Sequence, residues 1–204
     1  MPRKATFTRD EVVEKALQIV RRDGIECLTA RSLGAELGSS PSPIFTLFKG
    51  MEEVSAAVWE AAQQVFSDYV ADVTDFVPSF KEFGLRQVRF ARQDPQLFRY
   101  LFLRPSGPTE IIHPKAAECL HEVASAYGFS EEQSRLLFRQ MWTFNCGLAS
   151  LSMQNPRHYT EKVVSEMLAF QFISTLMFFK SGRQLVDIRP HRKKPGEGNI
   201  LIKF

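Results

Sequence analysis

Small hydroxyl side chains, apolar side chains and isolated cations share the segment between residues 29 and 49, a combination suited to reading nucleic acid. Thr46 can exchange hydrogen bonds with a base edge, and Pro43 or Phe45 can contact thymine methyl groups. Arg31 and Lys49 flank this segment and can pair with phosphates. The candidate DNA-binding residues are Thr29, Arg31, Ser40, Ser42, Pro43, Phe45, Thr46 and Lys49.

Three short helices are predicted to position these side chains. A capping box at residues 8–11 starts the first helix, and the second is predicted over residues 29–37. The third is predicted over residues 40–47, with Ser40 as its cap and Pro41 at its first helical position, where the missing N–H costs nothing.

The turn between the second and third helices is short and contains Gly38, which is typical of a DNA-binding helix-turn-helix. Ile44, Leu47 and Phe48 fall on one side of the third helix and can seal it against the other two. Spacing alone fits two interpretations about equally well. One is a DNA-binding motif, and the other is a helical subdomain whose polar caps face solvent.

Helical periodicity continues through the rest of the chain. Pro78, Pro95 and Pro114 stand near the starts of further helices, and Ser130 and Thr160 cap the last two. Alternating patterns typical of strands are absent before the last few residues. The predicted fold class is therefore all-α, with about nine helices.

The net charge of +3 is too small to identify a partner, but it is unevenly distributed. Residues 1–50, the predicted helix-turn-helix domain, carry +2 (8 basic and 6 acidic residues), and residues 51–182, a predicted second helical domain, carry −3 (12 and 15). Residues 183–204 carry +4 (6 and 2) and are predicted to be a disordered tail. An acidic body between basic ends indicates an anionic partner at one end.

Composition and targeting signals narrow the class of protein. Hydrophobic residues make up 44% of the 204 residues, so the chain can bury a core. The N-terminus lacks the apolar stretch of a secretory signal, and the apolar run near residues 167–179 is shorter than the ~20 residues that span a membrane. A cytoplasmic protein without a membrane partner is expected.

Side chains that commonly perform covalent or metal chemistry do not cluster in the sequence. The four histidines are scattered, and Cys119 and His121 point to different sides of a helix because they are two residues apart. Three cysteines without metal spacing indicate neither a disulfide framework nor a zinc site. No phosphate loop, nucleophile elbow or carboxylate pair is present. We expect no enzymatic activity, no catalytic residue, no metal and no cofactor.

The N-terminal segment resembles a known family. TARSLGAELGSS at residues 29–40, followed by IFTLF at residues 44–48, is similar to the N-terminal domain of TetR-family transcriptional regulators. The family pattern is a Thr-capped second helix, then Gly-Val-Ser, then Leu/Ile-Tyr-x-His/Tyr-Phe, and the similarity extends over about residues 8–60. The resemblance implies binding of double-stranded DNA through the third helix.

Three positions depart from the family pattern. Ser39 replaces the Val of the turn, and Phe45 replaces a Tyr whose hydroxyl commonly reaches phosphate. Met51 stands where a Lys usually opens the fourth helix, although Lys49 lies close. These departures leave an alternative open, namely a helical protein-interaction module that has lost specific DNA binding.

Two stretches of the body resemble the ligand-binding domain of a TetR subgroup named for its Trp-His-Gly motif. They are residues 90–102 and residues 142–151, with Cys146 where the His is expected and Gly147 placed to permit close helix approach. The resemblance implies an effector pocket, and the scarcity of polar groups implies an apolar or aromatic small molecule. Burial in a Phe-rich core is the alternative for each residue. The candidate pocket residues are Phe90, Phe98, Phe102, Met141, Trp142 and Cys146.

The last two helices, at about 131–155 and 160–181, are apolar on more than one face and need cover on several sides. In the TetR family two such helices pair with their copies in a homodimer, whereas the alternative is burial within one chain. The candidate dimer residues are Phe170, Ile173, Leu176 and Met177. The resemblance thus implies a ligand-responsive regulator, a repressor that binds a palindromic operator as a dimer and is released by its effector.

Overall fold

The computed structural model describes residues 7–103 and 113–182, and within these ranges the chain forms nine α-helices and no strand. The predicted all-α fold is confirmed. The helices are α1 (Arg9–Asp23), α2 (Ala30–Glu36), α3 (Ile44–Leu47), α4 (Met51–Tyr69), α5 (Ser79–Gln93), α6 (Pro95–Phe102), α7 (Pro114–Tyr127), α8 (Glu131–Gln154) and α9 (Glu161–Lys180). The predictions of a loop at 104–112 and of a disordered tail at 183–204 lie outside the described residues.

Side-chain caps set several helix starts where the sequence predicted them. The Thr8 hydroxyl accepts a hydrogen bond from the Glu11 N–H at 3.2 Å, and the Thr8 N–H donates to the Glu11 carboxylate at 2.7 Å. At the start of α2, the Thr29 hydroxyl accepts from the Ser32 N–H at 3.1 Å, and Ser130 caps α8 in the same way. Each cap satisfies N–H groups that have no partner in the first turn of a helix.

The third helix is shorter than predicted. Its α-helical part begins at Ile44 rather than at Pro41, and no side chain caps it. The chain enters it through a tight turn in which the Ile44 N–H donates to the Pro41 carbonyl at 3.1 Å. Pro41 and Pro43 have no N–H to donate, and Ser42 is disfavoured from helical geometry because a proline follows it. Ser40, the predicted cap, therefore lies in the loop before the turn.

Helix α1 is central to the N-terminal half, where it packs against α2 and α4. Ile44 and Phe48, which are 0% and 2% exposed, close α3 over the same core, and Leu47 packs against it partly buried. The inward face that the sequence predicted for α3 is the one that the structure buries. The buried face of α1 consists of Val12, Ala16, Ile19 and Val20.

Helix α5 is central to the C-terminal half, where it contacts α7, α8 and α9. It approaches α8 and α9 closely at Gly84, where an added Cβ would lie 3.1 Å from Asn145 Nδ2 and 3.3 Å from Leu168 Cδ1. At Gly147 an added Cβ would meet nothing within 4 Å among the described residues. The prediction that Gly147 serves a close helix contact is therefore wrong within this part of the chain, and Gly84 has that role.

The two halves also meet where α1 packs on α6. Arg21 Nε lies 2.6 Å from Oδ2 of Asp94, whose carboxylate is 7% exposed and directly precedes α6. The two groups form an ion pair, but their angles do not meet the geometry of a hydrogen bond, and Asp94 Oδ2 accepts none. This contact joins the end of the first helix to the junction between α5 and α6.

Helix α9 exposes much of its apolar surface. Among the described helices it has the length and mean hydropathy (1.3) that crossing a membrane would require, and 11% of its most apolar window is buried. Phe170, Ile173 and Met177 are 75%, 51% and 65% exposed and lie three and four residues apart, so they share one face. Leu176 is half-buried beside them. Composition alone is weak evidence for a membrane, because a helix that pairs with another protein surface has the same composition.

Candidate nucleic-acid interface and effector cavity

The residues predicted to contact DNA are accessible around α3. Phe45 is 47% exposed, an unusual environment for a large apolar ring in a small helical unit. Pro43 is half-buried, and the others are exposed, namely Thr29, Arg31, Ser40, Ser42, Thr46 and Lys49. The loop before α3 and the first turn of α3 thus leave small and apolar groups in solvent with a cation on either side. That these residues contact DNA stays a prediction.

A glycine in α2 sets how closely the loop before α3 can approach. A Cβ at Gly34 would lie 3.1 Å from both the Pro41 nitrogen and the Ser39 carbonyl oxygen, and 3.2 Å from the Ser40 carbonyl carbon. All three neighbours are backbone atoms, so none can move aside without moving the chain. Gly34 is buried, and it holds the entry into α3 against α2.

Arg9 ties α3 to the two helices beside it. Its guanidinium donates to the Leu47 carbonyl at 2.9 Å, pairs with the Glu53 carboxylate at 2.8 Å and lies 4.1 Å from the centre of the Phe48 ring. Glu53 also accepts from the Lys49 N–H at 2.7 Å, which is the main reason that its pKa lies below the ordinary value. This role could not be predicted from the sequence, because the partners of Arg9 lie 38 and 44 residues away.

The two threonines of the predicted interface already use their hydroxyl groups. Thr46 Oγ1 donates to the Pro43 carbonyl at 2.6 Å, so it presents lone pairs and can accept from the amino group of adenine or cytosine. The Thr29 hydroxyl lies 3.1 Å from the Ser32 nitrogen and 3.0 Å from the Ser32 hydroxyl. Thr29 therefore holds the start of α2, where any contact with phosphate would add to that role.

The four aromatic residues predicted to line the effector pocket form one cluster with Phe66, which is not among the predicted pocket residues. Ring centres lie 5.0 Å apart for Phe66 and Phe90, and 4.9 Å apart for Phe66 and Phe102. Phe98 and Trp142 extend the cluster from Phe102, at 4.9 Å and 5.7 Å. Phe90 and Phe98 are almost fully buried, at 3% and 0% exposed. Rings in such contact stabilise the core, and an effector that reached them would have to separate them.

Cys146 faces the interior contact between α5 and α8. Gln87 Nε2 donates to its sulfur at 3.6 Å, and burial raises the pKa of the thiol to about 11. The thiol is therefore protonated at neutral pH, whereas a redox-sensing cysteine reacts as the thiolate. Gln87 was not among the predicted residues, but its position four residues after Phe83 on an apolar helix face was a signal that a polar group is buried here.

In the ranges 7–103 and 113–182 the His, Cys, Asp and Glu side chains form no group of three or more that could hold a metal ion. The charged groups of α5 pair with one another instead. The Glu82 carboxylate lies 3.0 Å from Arg86 and 3.2 Å from Arg89, and these arginines also contact Asp72 and Glu161. The network ties α5 to the preceding turn and to the start of α9, which is a structural role.

His113 is buried beside the aromatic cluster and caps α7. Its Nδ1 accepts from the Lys115 N–H at 3.2 Å, so the proton of the neutral ring lies on Nε2, which donates to the Ser67 hydroxyl at 3.0 Å. The ring packs edge-on against Phe66 with centres 5.2 Å apart. Burial lowers the pKa of His113 below its ordinary value of 6.5, more than the nearby Glu118 raises it.

Replacing His113 by asparagine is expected to reduce the sensitivity of the protein to mild acid. The folded protein binds this proton less readily than the unfolded chain, so the unfolding free energy falls as pH drops below about 6.5 and is unaffected well above it. Asparagine keeps a capping oxygen without titrating. Urea denaturation at pH 7.5 and pH 5.5 should show a smaller loss for His113→Asn than for wild type. His121→Asn, at an exposed position, is the control. If His113→Asn loses as much unfolding free energy between pH 7.5 and pH 5.5 as wild type or this control does, His113 does not have this role.

Several cavities open in the described part of the C-terminal half, and two of them adjoin α7. One of about 550 Å³ lies between α7 and α8 and is bordered by exposed charged side chains such as Glu131 and Arg135. The other, of about 260 Å³, lies among α5, α7, α8 and α9 and is lined mainly by apolar groups. Of the six predicted pocket residues, Met141 alone lines either of these two cavities.

Residues 80–171 match the family model of the tetracyclin repressor-like C-terminal domain. The C-terminal domain of this chain belongs to the TetR family. The matched range runs from α5 into α9 and includes most of the residues around the 260 Å³ cavity. The family resemblance predicted from the sequence is confirmed, and the Trp-His-Gly subgroup stays a prediction. No curated protein matches the sequence.

Several solved TetR-like structures share the fold. A transcriptional regulator from Rhodococcus sp. Rha1 has 13% sequence identity and a TM-score of 0.61, covering 84% of this chain and 97% of its own. A TetR variant from Acinetobacter baumannii AYE, in complex with minocycline, has 18% identity and a TM-score of 0.54 over 88% and 99%. The fatty acid degradation regulator FadR from Bacillus halodurans has 13% identity and a TM-score of 0.52 over 82% and 93%. At these identities the likeness concerns the fold. The domain match and the shared fold support a DNA-binding, ligand-responsive transcriptional regulator.

Proposed function

We propose that this TetR-family regulator is a homodimeric, cytoplasmic repressor that binds a palindromic operator through α3 and is released by an apolar or aromatic small molecule. One observation carries the proposal. Phe45, Thr46 and Ser42 remain in solvent between Arg31 and Lys49, although the rest of α3 is sealed against the core. Apolar and hydroxyl groups between cations complement thymine methyls, base edges and phosphates in a major groove.

The exposed face of α9 supports the dimer. Phe170, Ile173 and Met177 leave large apolar groups uncovered on one helix face of the single chain. A second copy related by a two-fold axis covers such a face with the same residues. Two copies of α3 would then lie about 34–36 Å apart, or a multiple of that distance, and would meet successive major grooves.

The contact between α1 and α6 offers a route from the effector to the operator. Asp94 lies between α5 and α6 and faces Arg21 near the end of α1. A ligand that shifts α5 or α6 therefore moves a group bound to the helix-turn-helix. The ligand favours a population in which the two copies of α3 no longer match successive grooves, and the repressor leaves the operator.

Sequencing DNA that the purified protein enriches from a random library tests the proposal. A palindromic site with half-sites about 10–10.5 base pairs apart, or a multiple, is the expected result. Enrichment of no preferred sequence would overturn the DNA-binding role and favour the alternative, a helical protein-interaction module. A single half-site without its inverted copy would overturn the dimeric arrangement.

Removing the cations beside α3 is expected to weaken binding to every DNA sequence. For Arg31→Ala and Lys49→Ala, each variant should flatten the slope of log affinity against log salt by about 0.9, because one phosphate contact is lost. Thr46→Ala should instead relax the preference at one or two base positions. Fluorescence anisotropy over a salt series measures both effects. Lys162→Ala, which removes an exposed cation from α9, is the matched control. A salt slope that does not change in Arg31→Ala and Lys49→Ala would remove these residues from the interface.

A further inference from the structure

The 260 Å³ cavity of the C-terminal half has one buried polar side chain in a mainly apolar wall. Met141 of α8, Phe80 of α5, Val123 of α7 and Leu168 of α9 are among its lining residues and are nearly or fully buried. Its polar lining residues are Asn145 of α8, which is 3% exposed, and Lys81 of α5, which is half-buried. Four helices that meet at one partly open cavity form a site of the kind that binds small molecules.

The carboxamide of Asn145 has an unmet hydrogen-bonding capacity. Its Oδ1 is buried without a hydrogen-bond partner. A buried amide oxygen without a partner lowers stability, so native proteins rarely keep one. Leucine has nearly the same shape and would fill this position without that cost.

The surrounding helices leave room for this side chain. Gly84 faces it from α5, and a Cβ there would lie 3.1 Å from Asn145 Nδ2. The terminal torsion of asparagine is soft, so rotation of the carboxamide can turn Oδ1 toward the cavity. Nearby Gln87 has a second buried carbonyl oxygen without a partner, but it does not line this cavity. Asn145 and Gln87 therefore form a matched pair, because both have an unpartnered buried carbonyl oxygen and only Asn145 lines the cavity.

We infer that this cavity is the effector site and that it takes a small, mainly apolar molecule with one hydrogen-bond donor, which pairs with Asn145 Oδ1. The inference rests on the proposed function in that the bound molecule would be the effector of the repressor. It places the ligand among α5, α7, α8 and α9, away from the aromatic cluster around Phe66. The donor supplies the partner that Oδ1 lacks, and the apolar body fills the remaining volume.

Calorimetry with two probes of matched shape tests the inference. Indole carries one N–H donor, and 1-methylindole replaces that donor by a methyl group. Wild type is expected to bind indole about tenfold more tightly than 1-methylindole, because the second probe leaves Oδ1 without a partner. The variant Asn145→Leu should bind the two probes equally or prefer 1-methylindole. Gln87→Leu, which removes the other unpartnered carbonyl, should keep the preference of wild type.

A second variant and a measurement of unfolding distinguish a specific effect on binding from a loss of folding. Ala169→Leu keeps Asn145 but adds three carbon atoms at a residue that lines the cavity, so it should weaken indole binding by about tenfold or more. Thermal unfolding of Asn145→Leu should occur at or above the wild-type temperature, since an unsatisfied buried group has been replaced. The inference is overturned if wild type binds neither probe or does not distinguish them, if Asn145→Leu keeps the preference, or if Ala169→Leu binds indole as wild type does.

These results are separate from the test of DNA binding. A protein that selects a palindrome but shows no probe preference at Asn145 would keep the proposed function and lose this site. A protein that distinguishes the probes but selects no DNA sequence would keep the site and lose the proposed function.

Discussion

A variant in which Phe170 is replaced by glutamate is expected to become monomeric and to lose most of its affinity for DNA. Phe170 is 75% exposed, more than Ile173 and Met177, with which it shares one helix face. Pairing with a second copy through this face would bury two carboxylates, and burying an unpaired charge costs several kcal/mol. A monomer holds one half-site at a time, so the operator affinity should fall about 100-fold or more through the loss of avidity.

Light scattering after gel filtration measures the first effect, and fluorescence anisotropy with operator DNA measures the second. Ala126→Glu, which adds the same charge at an exposed position of α7, is the control and should remain dimeric. A Phe170→Glu protein that elutes as a dimer would exclude this face as the interface. A wild-type protein that is monomeric at micromolar concentration would remove the dimer altogether.

The variant Gly34→Ala is expected to be destabilised by about 1–3 kcal/mol and to bind operator DNA much more weakly than wild type. The added methyl group would lie 3.1–3.2 Å from the Ser39, Ser40 and Pro41 backbone atoms. Relief of these contacts requires the loop to move away from α2, and the loop carries α3 with it. The displacement is therefore transmitted to the groups proposed to read the bases, so affinity falls by more than stability alone would predict.

Chemical denaturation and anisotropy measure the two quantities for Gly34→Ala. The control is Gly50→Ala, because an added Cβ at that position meets nothing within 4 Å and its backbone is extended. The control should lower the unfolding free energy by no more than about 1 kcal/mol, because Gly50 is the N-cap of α4 and alanine is a weaker cap than glycine. If Gly34→Ala is as stable as wild type and binds DNA equally well, α2 does not set the position of α3.

Local chemistry explains why the helix boundaries could be predicted from the sequence. Thr8, Thr29 and Ser130 start helices because each hydroxyl satisfies N–H groups within three residues, and these contacts are visible in the sequence itself. The start of α3 was predicted wrongly for a reason of the same kind. Pro41 satisfies a first-turn rule on its own, but Pro43 two residues later keeps the intervening residue out of the helix.

Contacts between distant residues set the features that the sequence did not reveal. Arg9 lies within the capping-box segment at residues 8–11, but its role depends on contacts with Leu47 and Glu53 in two other helices. Asn145 is one polar residue in a long apolar helix, and its significance depends on the cavity that four helices form around it. Four of the six predicted pocket residues are large aromatic ones, and these pack in one cluster. The division of the chain at residue 50 stays a prediction, since α4 packs against both α1 and α6.

The ion pair between Arg21 and Asp94 has a consequence for the energetics of both ligands. In the proposed mechanism, DNA at one end and effector at the other act on a single conformational equilibrium, because α1 and α6 are in direct contact. Thermodynamic linkage then requires the coupling to be reciprocal, so operator DNA must weaken effector binding by the same factor as effector weakens operator binding. In a cell, each bound operator therefore raises the effector concentration needed for release. The effector concentration at which a promoter responds would then depend on the affinity of the protein for the operator of that promoter.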